Sequence, residues 1–473
     1  MRVAIIGAGF GGLCMAVKLA RKGIPHVVFE KGGGVGGTWR VNTYPGAGCD
    51  IPSHLYSYSF EPYCDWSRRY PGQQEILAYL EMIAAKHDVR PRFGTEVTEL
   101  AHDGTGWLVV TPKAAERFDV VVTAVGQLDR PSMPDIPGMD TFQGDAFHSA
   151  RWGARDLQGK RVAVIGTGSS AAQLVPPVAE TAGQVDVYQR TPNWVLPKAD
   201  GEFGPLTRAM FRWVPGAHRA YREWIFAYLE NTVFPAFVDG WSTDVIRKMA
   251  LVHLHREIRD PELRRKLTPG YPPGCKRIVL DSRFYPALTR PNVELITDPI
   301  TRIVPEGVET SSGLRRTDAI VYATGFHSTE FLLPMTVTGT HGRDLHEQWR
   351  DGAEAYLGLA APGFPNLFFL YGPNTNLGHN SIVHMLEAQV SYVMGCLDLI
   401  AERGQMEVTE GALSTYTTAL NRALAATVWN RGCRSWYMTP TGKITNNWPR
   451  NARDYRRFTR RPRPGAYNFG TGR

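Results

Sequence analysis

The sequence contains few cysteines and no long apolar segment. Six cysteines stand among 473 residues, at positions 14, 49, 64, 275, 396 and 433, and none is spaced as CxxC. A chain of this length can bury its own core, so we expect no disulfide framework and a reducing environment, which favours the cytoplasm. No run of 18 uncharged apolar residues occurs, and the nearest candidate, residues 224–238, is interrupted by Glu, Asn and Pro. We therefore expect no integral association with a membrane.

Low-complexity segments are also absent, and no internal repeat occurs beyond the paired motif described below. The composition is that of a globular protein with two or three domains, since 43% of the residues are hydrophobic and 21% are charged. The net charge is +8, and cations are densest in residues 450–465. For that stretch we favour a solvated edge over a binding arm, and we expect no nucleic-acid partner. The sequence leaves a monomer and a homodimer equally open.

The N-terminus carries a dinucleotide-binding pattern. An apolar run, residues 3–6, precedes Gly7, Gly9 and Gly12 in GxGxxG spacing, then a helical pattern and a second apolar run that ends at Glu30. The glycines permit a tight turn and the close approach of a pyrophosphate to the helix N-terminus, while Glu30 can accept hydrogen bonds from a ribose diol. A signal peptide would not need this spacing, so we predict a dinucleotide-binding unit and not an export signal.

The pattern occurs a second time in the middle of the chain. Gly166, Gly168 and Ala171 follow another apolar run in GxGxxA spacing, but the next strand ends at Arg190 where the first unit has an acid. An arginine can pair with a 2′-phosphate, which an acid would repel. We predict an NADP site here, with NAD and a merely exposed Arg190 as the alternative. Two different dinucleotides in one chain indicate electron transfer, most simply from NADPH to FAD.

The remaining segments complete the predicted architecture. Residues 317–326 read as a buried strand that ends in small residues, and residues 201–266 show helical spacing that fits neither dinucleotide unit. We predict an α/β fold with two Rossmann-like dinucleotide-binding domains and a small helical insertion. The FAD-binding domain would comprise residues 1–141 and 326–473. The NADP-binding domain would comprise residues 142–325, with the insertion at about 201–266.

Two stretches are more specific than these patterns. One is GGTWRVNTYPGAGCD, residues 36–50, and the other is FQGDAFHSARW, which holds Phe142, Gly144, His148 and Trp152 in FxGxxxHxxxW spacing. Together they closely resemble the type I Baeyer–Villiger monooxygenases, flavoproteins that insert oxygen beside a ketone carbonyl. The resemblance runs over nearly the whole chain and is closest to the group of 4-hydroxyacetophenone, phenylacetone and cyclohexanone monooxygenases. In the family this stretch links the FAD and NADP domains, and the fingerprint continues with Pro or Asp. This chain has Gly153 there, which we interpret as a less restricted linker between the domains.

The resemblance implies a reaction and roles for individual residues. FAD would be reduced by NADPH and react with O₂ to a C4a-peroxide, which attacks a ketone and yields an ester or lactone. Arg277 would be the cation that stabilises the anionic intermediates, with Asp50 holding it. Lys276 would join Arg190 on the 2′-phosphate. His148 would help to couple domain movement, unless it is only a packed linker residue.

The predicted site residues fall into three sets. The catalytic set is Arg277, Asp50 and His148. The FAD set is Gly7, Gly9, Gly12, Glu30, Lys31, Gly37, Thr38, Trp39, Asp50, Ile51, Tyr56, Val97, Thr324 and Gly325. The NADP set is Gly166, Thr167, Gly168, Ser169, Ser170, Gln173, Arg190, Thr191, Lys276, Arg277 and Trp436. No metal is predicted.

Two other functions remain open from the sequence. Oxygenation of an amine or sulfide would use the same two cofactors and would not require Arg277. A flavin-bearing redox sensor without turnover would need no hydride donor, so the presence of both dinucleotide patterns argues against it.

Overall fold

Two parallel sheets organise the chain. In each sheet one inner strand leads into a glycine-rich turn and a helix. The computed structural model describes residues 1–238 and 240–470. Its α-helices are α1 Phe10–Arg21, α2 Thr38–Val41, α3 Gln73–Lys86, α4 Ser169–Thr181, α5 Pro205–Trp213, α6 Ala217–Tyr228, α7 Ser242–Glu257, α8 Pro261–Leu267, α9 Phe284–Leu288, α10 Leu345–Gln348, α11 Ile382–Arg403, α12 Glu410–Ala425 and α13 Ala452–Phe458.

The strands are mostly short, four or five residues each. They are β1 Val3–Ile6, β2 His26–Phe29, β3 Glu99–His102, β4 Trp107–Val110, β5 Ala115–Phe118, β6 Val120–Thr123, β7 Asp145–His148, β8 Arg161–Ile165, β9 Gln184–Tyr188, β10 Val195–Leu196, β11 Val279–Leu280, β12 Val293–Ile296, β13 Ile300–Val304, β14 Gly307–Thr310, β15 Gly313–Arg316, β16 Ala319–Tyr322, β17 Thr336–Thr338, β18 Leu367–Phe369, β19 Gln405–Val408 and β20 Tyr467–Gly470.

The first parallel sheet joins the two ends of the chain. Its strand order is β18-β6-β1-β2, so a strand near residue 368 pairs with strands from the first 123 residues. Both β1 and β6 are fully buried, because α1 and α11 cover one face and a second, mostly antiparallel sheet of order β17-β3-β4-β5 lies against the other. Continuous apolar strands of this kind are expected where both faces of a parallel sheet are covered.

The second parallel sheet is built from the middle of the chain. Its order is β12-β9-β8-β16-β7, and every pair in it is parallel. Helices α4 and α9 pack together on one face through a core that includes Val164, Leu174 and Leu288. The strand order places β8, which carries the second glycine pattern, at the centre of the sheet. The predicted α/β fold with two Rossmann-like units is therefore confirmed.

Helices α5 to α8 form the insertion between β10 and β11. Phe211 of α5 packs against Tyr221 of α6 and against His54. A π-helical turn, Leu229–Val233, follows α6 and buries Glu230, which accepts hydrogen bonds from His379 Nε2 (2.9 Å) and Asn380 Nδ2 (2.7 Å). The insertion is thus held on the loops around the first sheet.

One disulfide joins Cys275 to Cys433 across 158 residues of sequence. The expectation of a chain without disulfides is wrong at this pair. Spacing along the chain gave no signal, since the two cysteines meet only when the segment before β11 and the loop after α12 fold against each other. Cys14, Cys49, Cys64 and Cys396 are free thiols. Within the described residues, no helix is both long and apolar enough to span a membrane.

Candidate active site

A large cavity lies between the two glycine-rich turns. Its volume is about 2210 Å³, and its lining comes from the β1–α1 turn, the β8–α4 turn, the segment before β11 and the loop after α12. Cavities for one drug-sized ligand measure roughly 300–1,000 Å³. The cavity is therefore large enough for two extended ligands that meet end to end.

The first turn forms a cradle in which side chains would not fit. Gly7 adopts φ +104°, and a Cβ on it would lie 2.6 Å from the carbonyl oxygen of Ala124. A Cβ on Gly12 would lie 1.9 Å from the carbonyl oxygen of Gly7, so Gly12 serves the packing of helix on strand. Gly9 caps α1 without any side-chain hydrogen bond, which leaves the N–H groups of the first helical turn free for an anion.

Glu30 stands at the end of β2, where it borders the same cradle. Its carboxylate accepts hydrogen bonds from the backbone N–H of Ala8 (2.8 Å) and of Gly32 (2.7 Å). These bonds fix the acid beside the glycine turn with lone pairs still available to a hydroxyl donor. The arrangement suits a dinucleotide with an unmodified ribose diol.

The second turn repeats this geometry at β8. Gly166 adopts φ +117°, a Cβ on it would lie 2.5 Å from the carbonyl oxygen of Ala323, and Gly168 caps α4 without a side-chain bond. Gln173 of α4 links the two units, since its Oε1 accepts from Tyr44 (2.9 Å) and its Nε2 donates to the carbonyl of Gly48 (2.9 Å). The two cradles therefore share one wall.

Two cations converge beside the second cradle. Lys276 donates to the hydroxyl of Thr191 (2.6 Å), one residue after Arg190. Burial lowers the pKa of Lys276, and the neighbouring guanidinium of Arg190 lowers it further. Like charges placed together against the cavity are costly unless an anion binds between them, so this pair fits a phosphate group.

Arg277 reaches the cavity from the segment before β11 and pairs with Asp50 of the first unit. Its Nη2 and Nε both donate to Oδ2 of Asp50, at 2.6 and 3.0 Å. The side chains are only 28% and 20% exposed, and the Asp50 charge raises the pKa of Arg277 above its usual value. The cation is thus permanent and held in one orientation by a carboxylate that lies 227 residues away in the sequence.

Two tyrosines that sequence reasoning missed lie beside this ion pair. Tyr371 has a left-handed backbone, φ +59°, and its hydroxyl donates to Oδ1 of Asn376 (2.7 Å). Tyr437 is fully buried, and burial raises its pKa to about 12 while the charge of Arg277 opposes the rise. Tyr371 directly precedes residues 372–376, which read GPNTN. A non-glycine residue in this conformation is often found at functional sites. No sequence pattern around Tyr371 predicts this backbone conformation.

Aromatic residues from both ends of the chain line the cavity. Trp39 donates from Nε1 to the hydroxyl of Tyr56 (3.1 Å), and their rings meet edge to face. Trp436 packs on Tyr437 with ring centroids 4.5 Å apart. Flat apolar walls of this type suit planar ring systems.

The FxGxxxHxxxW stretch forms β7 and the turn after it, outside the cavity lining. His148 is buried, its Nδ1 accepts from the N–H of Ala150 (3.1 Å), and burial lowers its pKa. Its ring meets Phe326, which does line the cavity, at 5.4 Å. His148 therefore lies one residue behind the wall.

Gly153 is not simply a flexible position. It adopts φ +63°, and the nearest atom to a Cβ there, Nη1 of Arg155, would be 3.5 Å away. Space is available, but the backbone conformation is one that proline cannot take and that most residues disfavour. The linker of this chain turns in a way that the Pro or Asp of the family fingerprint would not support equally.

The predicted residues are gathered at one place with two exceptions. Every residue of the FAD and NADP sets borders the cavity except Gly12, and of the catalytic set only His148 does not. Within the described residues, no cluster of His, Cys, Asp and Glu could hold a metal ion.

Known proteins match this chain in sequence and in structure. A family model described as pyridine nucleotide-disulphide oxidoreductase matches residues 4–211. A Baeyer-Villiger monooxygenase of Pseudomonas aeruginosa is 42% identical over 99% of this chain and 92% of its own length. One of Streptomyces coelicolor is 42% identical over 98% of this chain and 91% of its own.

Solved structures agree with the sequence relatives. The complex of OTEMO with FAD and NADP superposes with a TM-score of 0.89 at 27% identity and covers 99% of both chains. Oxidized steroid monooxygenase bound to NADP superposes with a TM-score of 0.88 at 32% identity and covers 97% of both. With relatives of this identity over almost the full length, the chain belongs to the Baeyer–Villiger monooxygenase family.

Proposed function

We propose that the protein is an NADPH- and FAD-dependent monooxygenase that inserts one oxygen atom of O₂ next to a ketone carbonyl and releases an ester or lactone. The observation that carries the ketone assignment is the Arg277–Asp50 pair, a fixed cation at the wall between two dinucleotide cradles. Oxygen insertion beside a carbonyl passes through anionic species, which a preorganised cation stabilises.

The predicted cofactors, FAD and NADPH, are confirmed by solved relatives that hold FAD and NADP. FAD fits the cradle of Gly7 and Glu30, and its isoalloxazine ring would reach the walls formed by Trp39 and Tyr56. Bound FAD, reduced by NADPH, would supply the activation of O₂. The protein residues do the rest: they bind, orient and exclude water.

Arg277 would act on the substrate directly. Its guanidinium faces the cavity, and donors on its outer edge remain for a carbonyl oxygen as negative charge develops there. Asp50 is a positioning residue, since it touches Arg277 through a single oxygen and fixes the plane of the guanidinium. Tyr371 and Tyr437 would keep this corner free of bulk water.

Arg190 and Lys276 would bind the 2′-phosphate of NADPH, with the pyrophosphate at the N-terminus of α4. Trp436 would pack near the nicotinamide. His148 would act behind the cavity wall through Phe326, consistent with a part in domain movement and not in substrate contact.

We further propose the domain division. The FAD-binding domain would comprise residues 1–141 and 326–473, of which 471–473 lie outside the described residues. The NADP-binding domain would comprise residues 142–325, with the helices of the insertion inside it. The partition of strands between the two parallel sheets supports this, since no strand of residues 145–322 joins the first sheet. The cytoplasmic location stays a prediction.

Arg277→Ala and its control Arg283→Ala test the proposed reaction. With NADPH and a panel of ketones, sulfides and amines, products are identified by mass and regiochemistry. We expect Arg277→Ala to lose at least 10²-fold in ester formation, while NADPH still bleaches the flavin. Arg283, six residues away and outside the cavity, should be neutral. Near-parental ester formation by Arg277→Ala would overturn the role of Arg277, and sulfide or amine oxides as the only products would overturn the ketone assignment.

A further inference from the structure

Exposed apolar side chains are concentrated on the helical insertion. Seventeen large hydrophobic residues are exposed in the described chain, and ten of them fall between residues 206 and 252. They are Leu206, Met210, Trp213, Val214, Trp224, Tyr228, Trp241, Val245, Met249 and Val252. We call these ten residues the outer face of the insertion. None of them borders the active-site cavity.

On α5 and α7 the exposed residues follow helical spacing, so each of these helices has one apolar outward side. On α5, Leu206, Met210 and Trp213 are four and three residues apart and therefore project to one side. Phe211 projects to the other side, where it is buried. The helix is thus apolar on both sides, although only one of them packs against the protein.

Helix α7 repeats the arrangement. Trp241 immediately precedes it, and Val245, Met249 and Val252 follow at intervals of four, four and three residues. Ile246, Ala250 and Leu254 form the opposite, buried side. A helix that meets water on its second side would normally carry polar residues there.

Helix α6 contributes a stack of rings. Tyr221, Trp224 and Tyr228 stack in order, with centroids 6.0 and 5.9 Å apart. Trp224 and Tyr228 are exposed. Preformed aromatic stacking costs little entropy on binding, because the rings are already ordered.

The three tryptophans of the outer face expose a large apolar area. Trp213, Trp224 and Trp241 are 76%, 62% and 64% exposed. At about 150–250 Å² for a whole aromatic side chain, these three alone expose roughly 300–500 Å². Summed over the three helices, this area equals that of the largest apolar patch of a typical monomer, before the other seven residues are counted.

Cations outnumber acids on these helices by a small margin. The exposed cations of their described part are Arg212, Arg219, Arg247, Lys248 and Arg256. The acids beside them are Glu223, Asp244 and the half-buried Glu257, and Asp65 of a neighbouring loop pairs with Arg212. Lys248 and Arg256 lie on the outward side of α7, seven residues after Trp241 and after Met249. Tryptophan and leucine beside lysine and arginine on amphipathic helices are typical of segments that lie in a lipid interface.

We propose that the outer face of the insertion binds the surface of an anionic lipid bilayer, with the helices lying in the interface. A second copy of the chain fits less well, because it would bring the same excess of cations, on a molecule of net charge +8, against itself. Spanning is excluded for the described residues, since none of their helices is long and apolar enough.

The bound surface would lie close to the active site. Arg222, on the inner side of α6, donates from Nη1 to the carbonyl oxygens of His54 (2.8 Å) and Ser57 (2.9 Å). Tyr56, between them, lines the cavity. The proposal rests on exposure and charge and is independent of the reaction assigned to the cavity.

Vesicle flotation of the flavin-loaded protein tests the proposal. Vesicles of phosphatidylcholine alone are compared with vesicles that also contain phosphatidylglycerol. We expect flotation with the anionic vesicles and at least tenfold less with the neutral ones. Trp213→Ser combined with Trp241→Ser should reduce binding at least tenfold, and Lys248→Glu with Arg256→Glu should abolish the preference for anionic lipid. The control, Leu108→Ser with Leu314→Ser, alters exposed residues on β4 and β15 and should bind as the parent does.

A measurement on the unmodified protein guards against variants that fail to fold. Brominated lipids in the anionic vesicles should quench its tryptophan emission, and high salt should reverse the effect. Absence of flotation and quenching with either vesicle would overturn the proposal. So would flotation that the tryptophan variant retains, or a dimer by sedimentation that the same variant splits, since the outer face would then be an interface between copies.

Discussion

Arg277 shows how much of this site depends on single side chains placed by distant parts of the chain. Its guanidinium is fixed by Asp50, 227 residues away, and lies beside Tyr371 and Tyr437, which come from two further segments. Each partner changes what the cation can do: Asp50 orients it and the buried phenols restrict water. The sequence motifs included Arg277 and Asp50, and the structure adds Tyr371 and Tyr437 as neighbours of the cation.

The cation pair beside the second cradle leads to a prediction about coenzyme choice. Arg190→Ala should raise the KM for NADPH about ten- to a hundredfold and leave the KM for NADH unchanged, because a charge-assisted contact to the 2′-phosphate is worth about 1.5–3 kcal/mol. Steady-state kinetics with both coenzymes measure this. Arg290→Ala, exposed and outside the cavity, is the control. An unmodified enzyme with equal kcat/KM for NADH and NADPH would contradict the assignment.

Gly153 leads to a prediction about stability. Since its φ is +63° and a Cβ would meet nothing closer than 3.5 Å, Gly153→Ala should cost only the conformational term, about 1–2 kcal/mol. Gly153→Asn should cost less, because asparagine tolerates this region. Gly153→Pro should cost most of the three. Urea unfolding gives the order, and a proline variant as stable as the parent would show that the left-handed turn does not persist in solution.

At the scale of elements, the two glycine-rich turns were readable from sequence because their whole geometry is local. Strand, turn, helix and the acid or arginine after the next strand follow one another within about 30 residues, so spacing alone carries the information. The left-handed Tyr371, the Arg277–Asp50 pair as a contact and the Cys275–Cys433 bond all depend on segments far apart in sequence. Of these, only the Arg277–Asp50 pair was expected, and it was expected from the family resemblance and not from the spacing of the residues.

The packing of α5 and α6 on the loop after Asp50 buries a histidine that cannot charge easily. His54 has no exposed surface, its two ring nitrogens lack hydrogen-bond partners, and its ring meets Phe211 and His218. Burial lowers its pKa to about 3, and His218 and Arg222 contribute. The unfolded chain therefore takes up a proton near pH 6.5 that the folded protein refuses, so stability falls as the pH drops below that value.

This gives a prediction for the acid side of the stability profile. Between pH 7 and pH 5, His54 alone should cost about 2 kcal/mol of unfolding free energy. His54→Phe keeps the ring contacts and should reduce the slope by that amount, while His384, whose pKa burial lowers to about 4, keeps contributing to it. His255→Gln, at an exposed position on α7, should leave the slope unchanged. Urea midpoints at the two pH values decide it. Parallel profiles for the parent and His54→Phe would show that this histidine titrates normally.

At the scale of the whole molecule, the disulfide links the two regions that build the cavity. Cys275 immediately precedes Lys276 and Arg277, and Cys433 stands three residues before Trp436. A cross-link that closes 158 residues restricts the unfolded chain, and in the chain-entropy model it stabilises by roughly 5 kcal/mol at most. The bond thus acts on stability and on the walls of the site together.

Removal of the bond is the corresponding prediction. Dithiothreitol should lower the thermal midpoint of the parent, and Cys433→Ser should show the lowered midpoint without any further effect of the thiol. Cys64→Ser, at a half-buried free thiol, should behave like the parent with and without dithiothreitol. A parent whose midpoint is indifferent to reduction would mean that the two sulfurs are not joined in solution.

The same bond has a practical consequence for anyone who studies this enzyme. A batch purified with a thiol in every buffer and a batch purified in air would be two different molecules, identical in mass within two hydrogens. Their loops beside Arg277 and Trp436 would have different freedom to separate, so rates of coenzyme exchange measured on one batch would not transfer to the other. A kinetic constant for this protein is therefore defined only when the exposure of the sample to thiols is stated together with the pH.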